Sequence, residues 1–187
     1  MNMMNRHFIQ PHHRQHGAAL LTGLIFMVIL TLLGITAARM AGLEERMSGN
    51  MRDRALAMQA AEMALRDAEQ DILTSGRISG LTNFVEVCTN GLCYNGPSGN
   101  ANGVNWTATP VWTLVSMTGA PSVEYGTNTG AAQIGGLSVQ PRYIIEAIQK
   151  YCWRKCEGDL TTGYRVTVRA QGANPNTVVW LQEVFKP

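Results

Sequence analysis

The most informative segment of this 187-residue chain is GAALLTGLIFMVILTLLGITAARMAGLEERMSGNMRDRALAMQAAEMALRDAE, residues 17–69. Residues 18–38 form a run of 21 residues without a single charge. At a rise of about 1.5 Å per residue, the run makes a helix of about 32 Å, which can cross a hydrocarbon core of about 30 Å. Because no proline interrupts residues 39–73, we expect one helix from residue 18 to about residue 73.

A short basic leader, residues 1–17, precedes the apolar run. It contains Arg6, Arg14 and all four histidines, and no acidic residue. A secretory signal has its cleavage site after an apolar region of about 7–15 residues, whereas here the small residue Gly17 comes before it. Cleavage after Gly17 would leave the apolar helix on the mature protein. The positive charges place the leader in the cytoplasm, so the remainder is predicted to be exported.

Charge and composition exclude several classes of function. The net charge is +2, and because the leader holds two basic and no acidic residues, the mature chain is neutral. Nothing electrostatic therefore favours nucleic acid as a partner. The mature chain also lacks histidine, which excludes His-dependent nucleophilic triads and imidazole zinc sites. We expect no enzymatic activity, no cofactor and no metal.

The segment 39–76 continues the helix in amphipathic form. Its apolar residues recur every three or four positions, which predicts one stripe that packs against other helices. The stripe consists of Met40, Leu43, Met47, Met51, Ala55, Met58, Ala61, Leu65, Ala68 and Ile72. Near the end of the helix, the acidic Asp67, Glu69 and Asp71 oppose the macrodipole. Either they have basic partners elsewhere or they form a solvated end.

Residues 77–187 are predicted to form one β-rich domain. Apolar and polar residues alternate in 164–169 and 178–185, and 143–148 is a more apolar run, so we expect three terminal antiparallel strands. Asn90-Gly91 predicts a hairpin between residues 84–88 and 92–94. The four tryptophans, Trp106, Trp112, Trp153 and Trp180, are interpreted as core or loop anchors rather than a carbohydrate platform. The fold class is therefore α+β.

The four cysteines agree with export. A two-residue turn at Asn90-Gly91 places Cys88 opposite Cys93 with Cα atoms about 4.5 Å apart, within disulfide range. The spacing thus predicts a Cys88–Cys93 disulfide, which leaves Cys152 and Cys156 to pair with each other. The alternative is a four-thiolate zinc site, although C-x4-C and C-x3-C fit the usual C-x2-C spacing poorly.

The leader ending in Gly17, the long apolar helix and the β-rich end resemble a type IV pilin. Within that superfamily, LEERMSGNMRDRALAMQAAEMALRDAE closely resembles the PilX family of minor pilins in its pseudomonad form. The resemblance implies the type IV pilin fold, with a long helix, half of it transmembrane, packed on an antiparallel sheet. It also implies cleavage after Gly17 by a prepilin peptidase, N-methylation of Ala18, and transfer from the inner membrane into a filament of major and minor pilins.

Two positions depart from the family pattern. Family members usually carry Phe at the first mature position, where this chain has Ala18. They typically carry Glu at the fifth, where its carboxylate attracts the terminal amine of a neighbouring subunit; this chain has Thr22. A carboxylate in lipid costs about 2.5–3.5 kcal/mol, so it persists where a neighbour compensates it. Its absence suggests a subunit at or near the filament tip, beside other minor pilins and a large tip adhesin. The alternative is neutral drift at this position.

Three functional classes result. The first is a minor pilin that initiates pilus assembly and thereby supports twitching motility and adhesion. The alternative is a minor pseudopilin of a type II secretion system, although such tip pseudopilins usually carry a larger inserted domain. The third, an enzyme merely anchored by the helix, is opposed by the missing histidines and the lack of a catalytic motif.

Overall fold

The structure is a computed structural model that describes residues 18–81, 83–85, 88–94, 111–151 and 160–187. The chain separates into two compact units, Met1–Ser48 and Gly49–Pro187. The first unit holds the N-terminal part of one long helix. The second unit holds the rest of that helix and a five-stranded sheet. The predicted division of the chain at residues 38 and 76 stays a prediction.

Helix α1 comprises Ala18–Thr74, 57 residues, which confirms the predicted helix to within one residue. In the first unit, all of its described residues are exposed. By length and composition this part of the helix can cross a membrane. The hydroxyls of Thr22, Thr31 and Thr36 each donate a hydrogen bond to a carbonyl three or four residues earlier. These polar groups are satisfied within the helix, as a lipid environment requires.

In the second unit, alanine makes up most of the buried face of α1, with five of its eight buried residues. Its buried residues are Ala57, Ala60, Ala61, Ala64, Asp67, Ala68, Asp71 and Ile72. Alanine has no side chain beyond Cβ, so this face lies directly on the side chains of the sheet. Packing against a sheet in the same chain, rather than against other helices, therefore covers this stretch.

Only part of the predicted apolar stripe is free to contact other helices. Ala61, Ala68 and Ile72 are buried within the second unit, whereas Ala55 and Met58 are exposed. The helix presents two apolar surfaces, one rich in alanine and one rich in methionine. The alanine surface is buried, and the methionine surface is exposed. Periodicity alone cannot decide which of two such surfaces meets the sheet.

The sheet contains five strands. They are β1 (Leu92–Tyr94), β2 (Val123–Glu124), β3 (Arg142–Tyr151), β4 (Leu160–Gln171) and β5 (Val178–Phe185). The strand order is β1-β3-β4-β5, and β2 pairs with the N-terminal end of β3. The β3–β4 and β4–β5 pairs are antiparallel, which confirms the three predicted terminal strands.

Two expectations for the sheet need correction. β1 pairs with β3 in parallel, with Leu92 opposite Ile145, so the sheet is mixed rather than purely antiparallel. The chain between β1 and β3 is long enough for the crossover that parallel strands require. The turn of the predicted hairpin is present. Among the described residues of its first strand, Cys88 has φ of 46°, which interrupts extended backbone, and Val85 makes an isolated bridge to Cys93.

The two faces of the sheet have different cores. The face on α1 carries Tyr143, Ile145, Val166 and Val168, all fully buried. The opposite face carries a smaller cluster around Ile144, with Cys88, Cys93 and Met117 packed on it. On this opposite face, Arg165 also forms a buried ion pair with Glu146, at 2.6 Å from Nε to Oε2 and 2.5 Å from Nη2 to Oε1.

Candidate assembly surfaces

The N-terminal end of α1 carries the residues predicted to be processed. Gly17 lies outside the described residues, and Ala18 is the first residue of the helix. Thr22 donates its hydroxyl to the carbonyls of Ala18, at 2.9 Å, and Ala19, at 3.0 Å. The fifth position from Ala18 therefore offers neither a charge nor a free hydroxyl hydrogen to a neighbour.

Large apolar side chains on α1 stay exposed in both units. In the first unit, Met40 and Met47 expose 64% and 62% of their surface. In the second unit, Met51 exposes 69% and Met63 exposes 43%. Methionine is unbranched and flexible, so such surfaces adapt to neighbours of different shape. The exposed part of the predicted stripe thus remains available to other chains.

A buried carboxylate joins the end of α1 to the sheet. Asp71 is fully buried and accepts a hydrogen bond from Nε of Arg77 at 2.7 Å, with a second, very short contact from Nη2. It also accepts bonds from the hydroxyl of Tyr143 at 2.8 Å and from Nδ2 of Asn128 at 3.0 Å. One side chain therefore fastens the segment after the helix, the loop before β3 and β3 itself. The basic partner expected for Asp71 is Arg77.

The charges in this network shift its ionisation. Burial alone would raise the pKa of Asp71, but the hydrogen bonds from Arg77 and Tyr143 and the charge of Arg77 outweigh it, so the pKa lies below its ordinary value. Burial and the neighbouring Asp71 carboxylate raise the pKa of Tyr143. Asp71 is thus charged and Tyr143 neutral at physiological pH.

A second aspartate, one turn earlier, holds the loop between β2 and β3. Asp67 accepts a hydrogen bond from the main-chain N–H of Gly126 at 2.8 Å and another from the hydroxyl of Thr129. Gly126 has φ of 77°, and a Cβ there would collide with the carbonyl of Ala131. In these contacts the partners of Asp67 are not basic side chains. Its carboxylate oxygens accept hydrogen bonds from a loop whose tight turn requires glycine.

A third aspartate caps the turn between β4 and β5. Oδ1 of Asp53 accepts from the main-chain N–H groups of Ala173, at 2.7 Å, and Asn174, at 3.3 Å. A hydrogen bond from Thr177 and these two bonds lower the pKa of Asp53 against the opposing effect of burial. Gly172 lies so close that a Cβ on it would be 2.5 Å from Oδ1. Asp53 and Gly172 therefore fit each other as a pair.

The disulfide Cys88–Cys93 is confirmed. Its Cα atoms are 4.2 Å apart, close to the separation expected from the turn. Thr89 and Leu92 exchange hydrogen bonds of 3.1 and 3.0 Å, and the two turn residues, Asn90 and Gly91, both have positive φ. The oxidised pair leaves no thiolates at these positions for the alternative zinc site. Cys152 and Cys156 lie outside the described residues.

An aromatic cleft lies on the face of the sheet opposite α1. The rings of Trp112 and Trp180 are 4.8 Å apart between centroids, and Cζ of Arg169 lies 6.0 Å from the centre of the Trp180 ring. The cleft has a volume of about 400 Å³. Trp180 lies in a strand as expected, but it is 41% exposed and is therefore not a core residue. Trp106 and Trp153 lie outside the described residues.

The three aspartates were missed as a set, although the sequence carries a signal. Asp53, Asp67 and Asp71 lie at the same helical spacing as the buried alanines, at intervals of three or four from Ala57 to Ala68. Carboxylates within a stripe of small residues indicate acceptors that meet loops. For metal chemistry, the described residues contain no group of three or more His, Cys, Asp or Glu that could hold an ion.

Comparison with known families gives two matches. The model of the PilX N-terminal family matches residues 16–66, and the model of the type IV pilus assembly protein PilX C-terminal region matches residues 89–187. No curated protein matches the chain. No solved structure matches it either.

A membrane-capable helix, a mixed sheet and a disulfide agree with the α+β fold of a type IV pilin, a structural pilus subunit with a membrane anchor. The two family matches are more specific. This chain belongs to the PilX family of type IV pilus minor pilins.

Proposed function

We propose that this minor pilin is part of a small priming complex at or near the tip of the pilus. In this proposal, the complex contains other minor pilins and a large tip adhesin, stands on the major pilin, and initiates assembly. Twitching motility and adhesion then depend on the chain through the filaments that it starts. Before assembly, its C-terminal unit lies in the periplasm and the basic leader in the cytoplasm, as the leader charges favour.

The observation that carries the proposal is Thr22. Its hydroxyl donates within its own helix and carries no charge, so it lacks the carboxylate that would attract the terminal amine of a neighbouring subunit. A subunit along the shaft has a neighbour on that side, whereas a subunit at the tip has none. Support also comes from the exposed Met40 and Met47, which give the helix an adaptable surface for related helices on its remaining sides.

Processing at Gly17 is the step to test first. Mass spectrometry of the N-terminus, in cells with and without the prepilin peptidase, should find a mature chain that starts at Ala18 and carries a methyl group. The unprocessed chain should accumulate when the peptidase is missing. A chain that keeps Met1 in piliated cells and never enters sheared filaments would contradict the proposal.

Placement at the tip is tested by restoring the missing carboxylate. Thr22→Glu should spread the chain along the shaft, because the new charge can attract a neighbouring amine, and immunogold labelling of sheared pili would show it. Thr22→Gln is the matched control, since it has the same size without the charge. Sparse labelling that is unchanged in Thr22→Glu would favour neutral drift at this position.

A further inference from the structure

Strand β5 forms a free edge of the sheet. It pairs with β4 on one side, and no other strand among the described residues pairs with its second side. β5 is eight residues long and contains neither proline nor lysine, which proteins often use to protect an exposed edge. An edge of this length is able to accept another strand whose side chains match it.

The register shows which backbone groups point outward from this edge. The N–H of Gly172 donates to the carbonyl of Thr177 at 3.0 Å, and these two residues continue the β4–β5 pairing. Bonded pairs in an antiparallel ladder recur every two residues. Val179, Leu181, Glu183 and Phe185 therefore bond to β4, and the N–H and C=O groups of Val178, Trp180, Gln182 and Val184 point away from it.

The side chains of these outward residues form an exposed, largely apolar row. Val178, Trp180 and Val184 expose 37%, 41% and 62% of their surfaces. The amide of Gln182 is bonded to the hydroxyl of Thr167 at 2.8 Å. The ring of Trp112 packs on the ring of Trp180, and this contact restricts the side chain of Trp180. An apolar side chain of an added strand would lie directly beside this row.

The other face of the same edge is acidic. Glu183 in β5 lies beside Glu69 of α1, and its Oε1 is buried without a hydrogen-bond partner. Burial, followed by the neighbouring Glu69 carboxyl group, raises the pKa of Glu183. Two carboxyl groups that share a site are stabilised by a cation. A strand added to β5 would bring its own side chain next to Glu183.

We propose that the free edge of β5 binds an extended strand of a different chain by β-strand addition. The partner strand alternates apolar side chains, which cover Trp180 and Val184, with a lysine or arginine that lies next to Glu183. The proposal rests on the proposed function only for its setting, since a pilus complex would supply such a chain.

A second copy of this chain does not have the required chemistry. β5 contains one acidic residue and no basic residue, so pairing with itself brings another carboxylate and no cation. The nearest base, Lys186, is three positions from Glu183. By the alternation of side chains along a strand, it would fall on the face of Trp180 instead.

Hydrogen exchange of the full-length protein in detergent tests the proposal. The probe is acetyl-Val-Thr-Val-Lys-Val-Thr-Val-amide, and its control is the same peptide with alternate amides N-methylated. The first peptide should slow exchange at Val178, Trp180, Gln182 and Val184 by about ten-fold or more, and the methylated peptide should not. No slowing at millimolar peptide, or equal slowing by both peptides, would overturn the proposal. The proposal would also be overturned if hydrogen exchange at these residues slowed without peptide as the protein concentration increased. That result would mean that a second copy of this chain binds the edge.

Two substitutions separate the backbone from the charge. Val184→Pro removes one outward N–H without breaking the β4 ladder and should weaken peptide binding about ten-fold. The matched Val184→Ala keeps the N–H and should weaken it less than about three-fold. Glu183→Gln should reduce binding of the lysine peptide to that of a norleucine analogue. Normal binding by a folded Val184→Pro protein would contradict the proposal. If that variant does not fold, the comparison of the unmethylated and N-methylated peptides on the unmodified protein still tests whether the β5 backbone binds a strand.

These outcomes are independent of the proposed function. A chain absent from sheared filaments would end the priming proposal, yet peptide binding at β5 would stand. A chain present in filaments whose β5 edge binds no peptide would end only the strand proposal.

Discussion

Asp71 shows how one residue can organise several segments. Its carboxylate is fully buried and meets Arg77, Tyr143 and Asn128. A buried charge is tolerated when such partners replace its lost hydration. The side chain of Asp71 therefore holds three segments of the domain together. An exposed acidic residue at the end of a helix would contribute only to solubility.

Asp71→Asn should lower the free energy of unfolding by about 2–4 kcal/mol. The substitution leaves the guanidinium of Arg77 without its counter-charge, and the cost is moderated because Arg77 remains 20% exposed. Thermal unfolding followed by circular dichroism measures the change. The exposed Glu62→Gln is the control and should alter stability by less than about 0.5 kcal/mol. Equal stability of the two variants would contradict the role given to Asp71.

The same substitution should change the acid limb of the stability profile. The folded pKa of Asp71 is depressed, so its contribution is present above the unfolded pKa of about 3.9 and is lost as pH falls through the folded pKa. Asp71→Asn should thus show a flatter loss of stability below about pH 4. A wild-type slope in the variant would mean that another group titrates there.

Glu183 behaves in the opposite way. Its folded pKa is raised, so the folded state holds its proton more tightly, and stability falls as pH rises from the unfolded pKa through the folded one. Glu183→Gln should raise Tm at pH 7 by about 1–4 °C, as expected for a solvent-screened pair. The gain should vanish below about pH 4. A lower Tm at pH 7 would show that the carboxylate has a stabilising partner.

At the scale of elements, α1 holds the second unit together by aligning three acceptors with the buried alanines. Asp53 fits the β4–β5 turn, Asp67 the loop after β2, and Asp71 the start of β3. The alanines allow a close approach. Asp53 and Asp67 then accept from main-chain N–H groups of the loops, and Asp71 accepts from the side chains of Arg77, Asn128 and Tyr143. The helix is therefore both a packing surface and a template for the loops.

Gly172→Ala should lower Tm by about 3–8 °C, because its Cβ would be 2.5 Å from Oδ1 of Asp53. In an Asp53→Ala background the same substitution should cost clearly less, since the obstructing carboxylate is gone. A double-mutant cycle by thermal denaturation measures this coupling. Additive effects of the two substitutions would mean that the contact does not matter.

At the scale of the whole molecule, the two units face different surroundings. Among the described residues, the first unit contributes none that is buried, whereas the buried residues of α1 begin at Ala57 in the second. An apolar surface without internal partners requires lipid or other subunits. We therefore expect the second unit to fold without the first.

A chain that starts at Gly49 should fold without detergent when it is made in an oxidising compartment. Its Tm should lie within about 5 °C of that of the full-length protein, because no described core residue is removed. Circular dichroism and size-exclusion chromatography would check this outcome. Aggregation or a molten profile of residues 49–187 would show that the first helical segment supports the domain.

Features that depend on residues close together in the sequence could be predicted, and features that depend on distant residues could not. Helix α1, its membrane-capable part and strands β3 to β5 are predictable from periodicity within short windows. The Cys88–Cys93 pair was also predictable, since the Asn90-Gly91 turn fixes the distance between its cysteines within a few residues. The parallel pairing of β1 and the interrupted strand at Cys88 were not predictable, because both depend on how distant segments meet.

Local sequence was sufficient to predict the helix, the apolar character of its first part, the terminal strands and the turn that closes the disulfide. These features depend on neighbours in the chain, so local spacing and turn chemistry suffice. Which surface of α1 meets the sheet, and which loops its aspartates contact, became known only from the folded structure. Both outcomes depend on contacts between residues more than fifty positions apart, such as Asp53 with Ala173 and Asp71 with Tyr143.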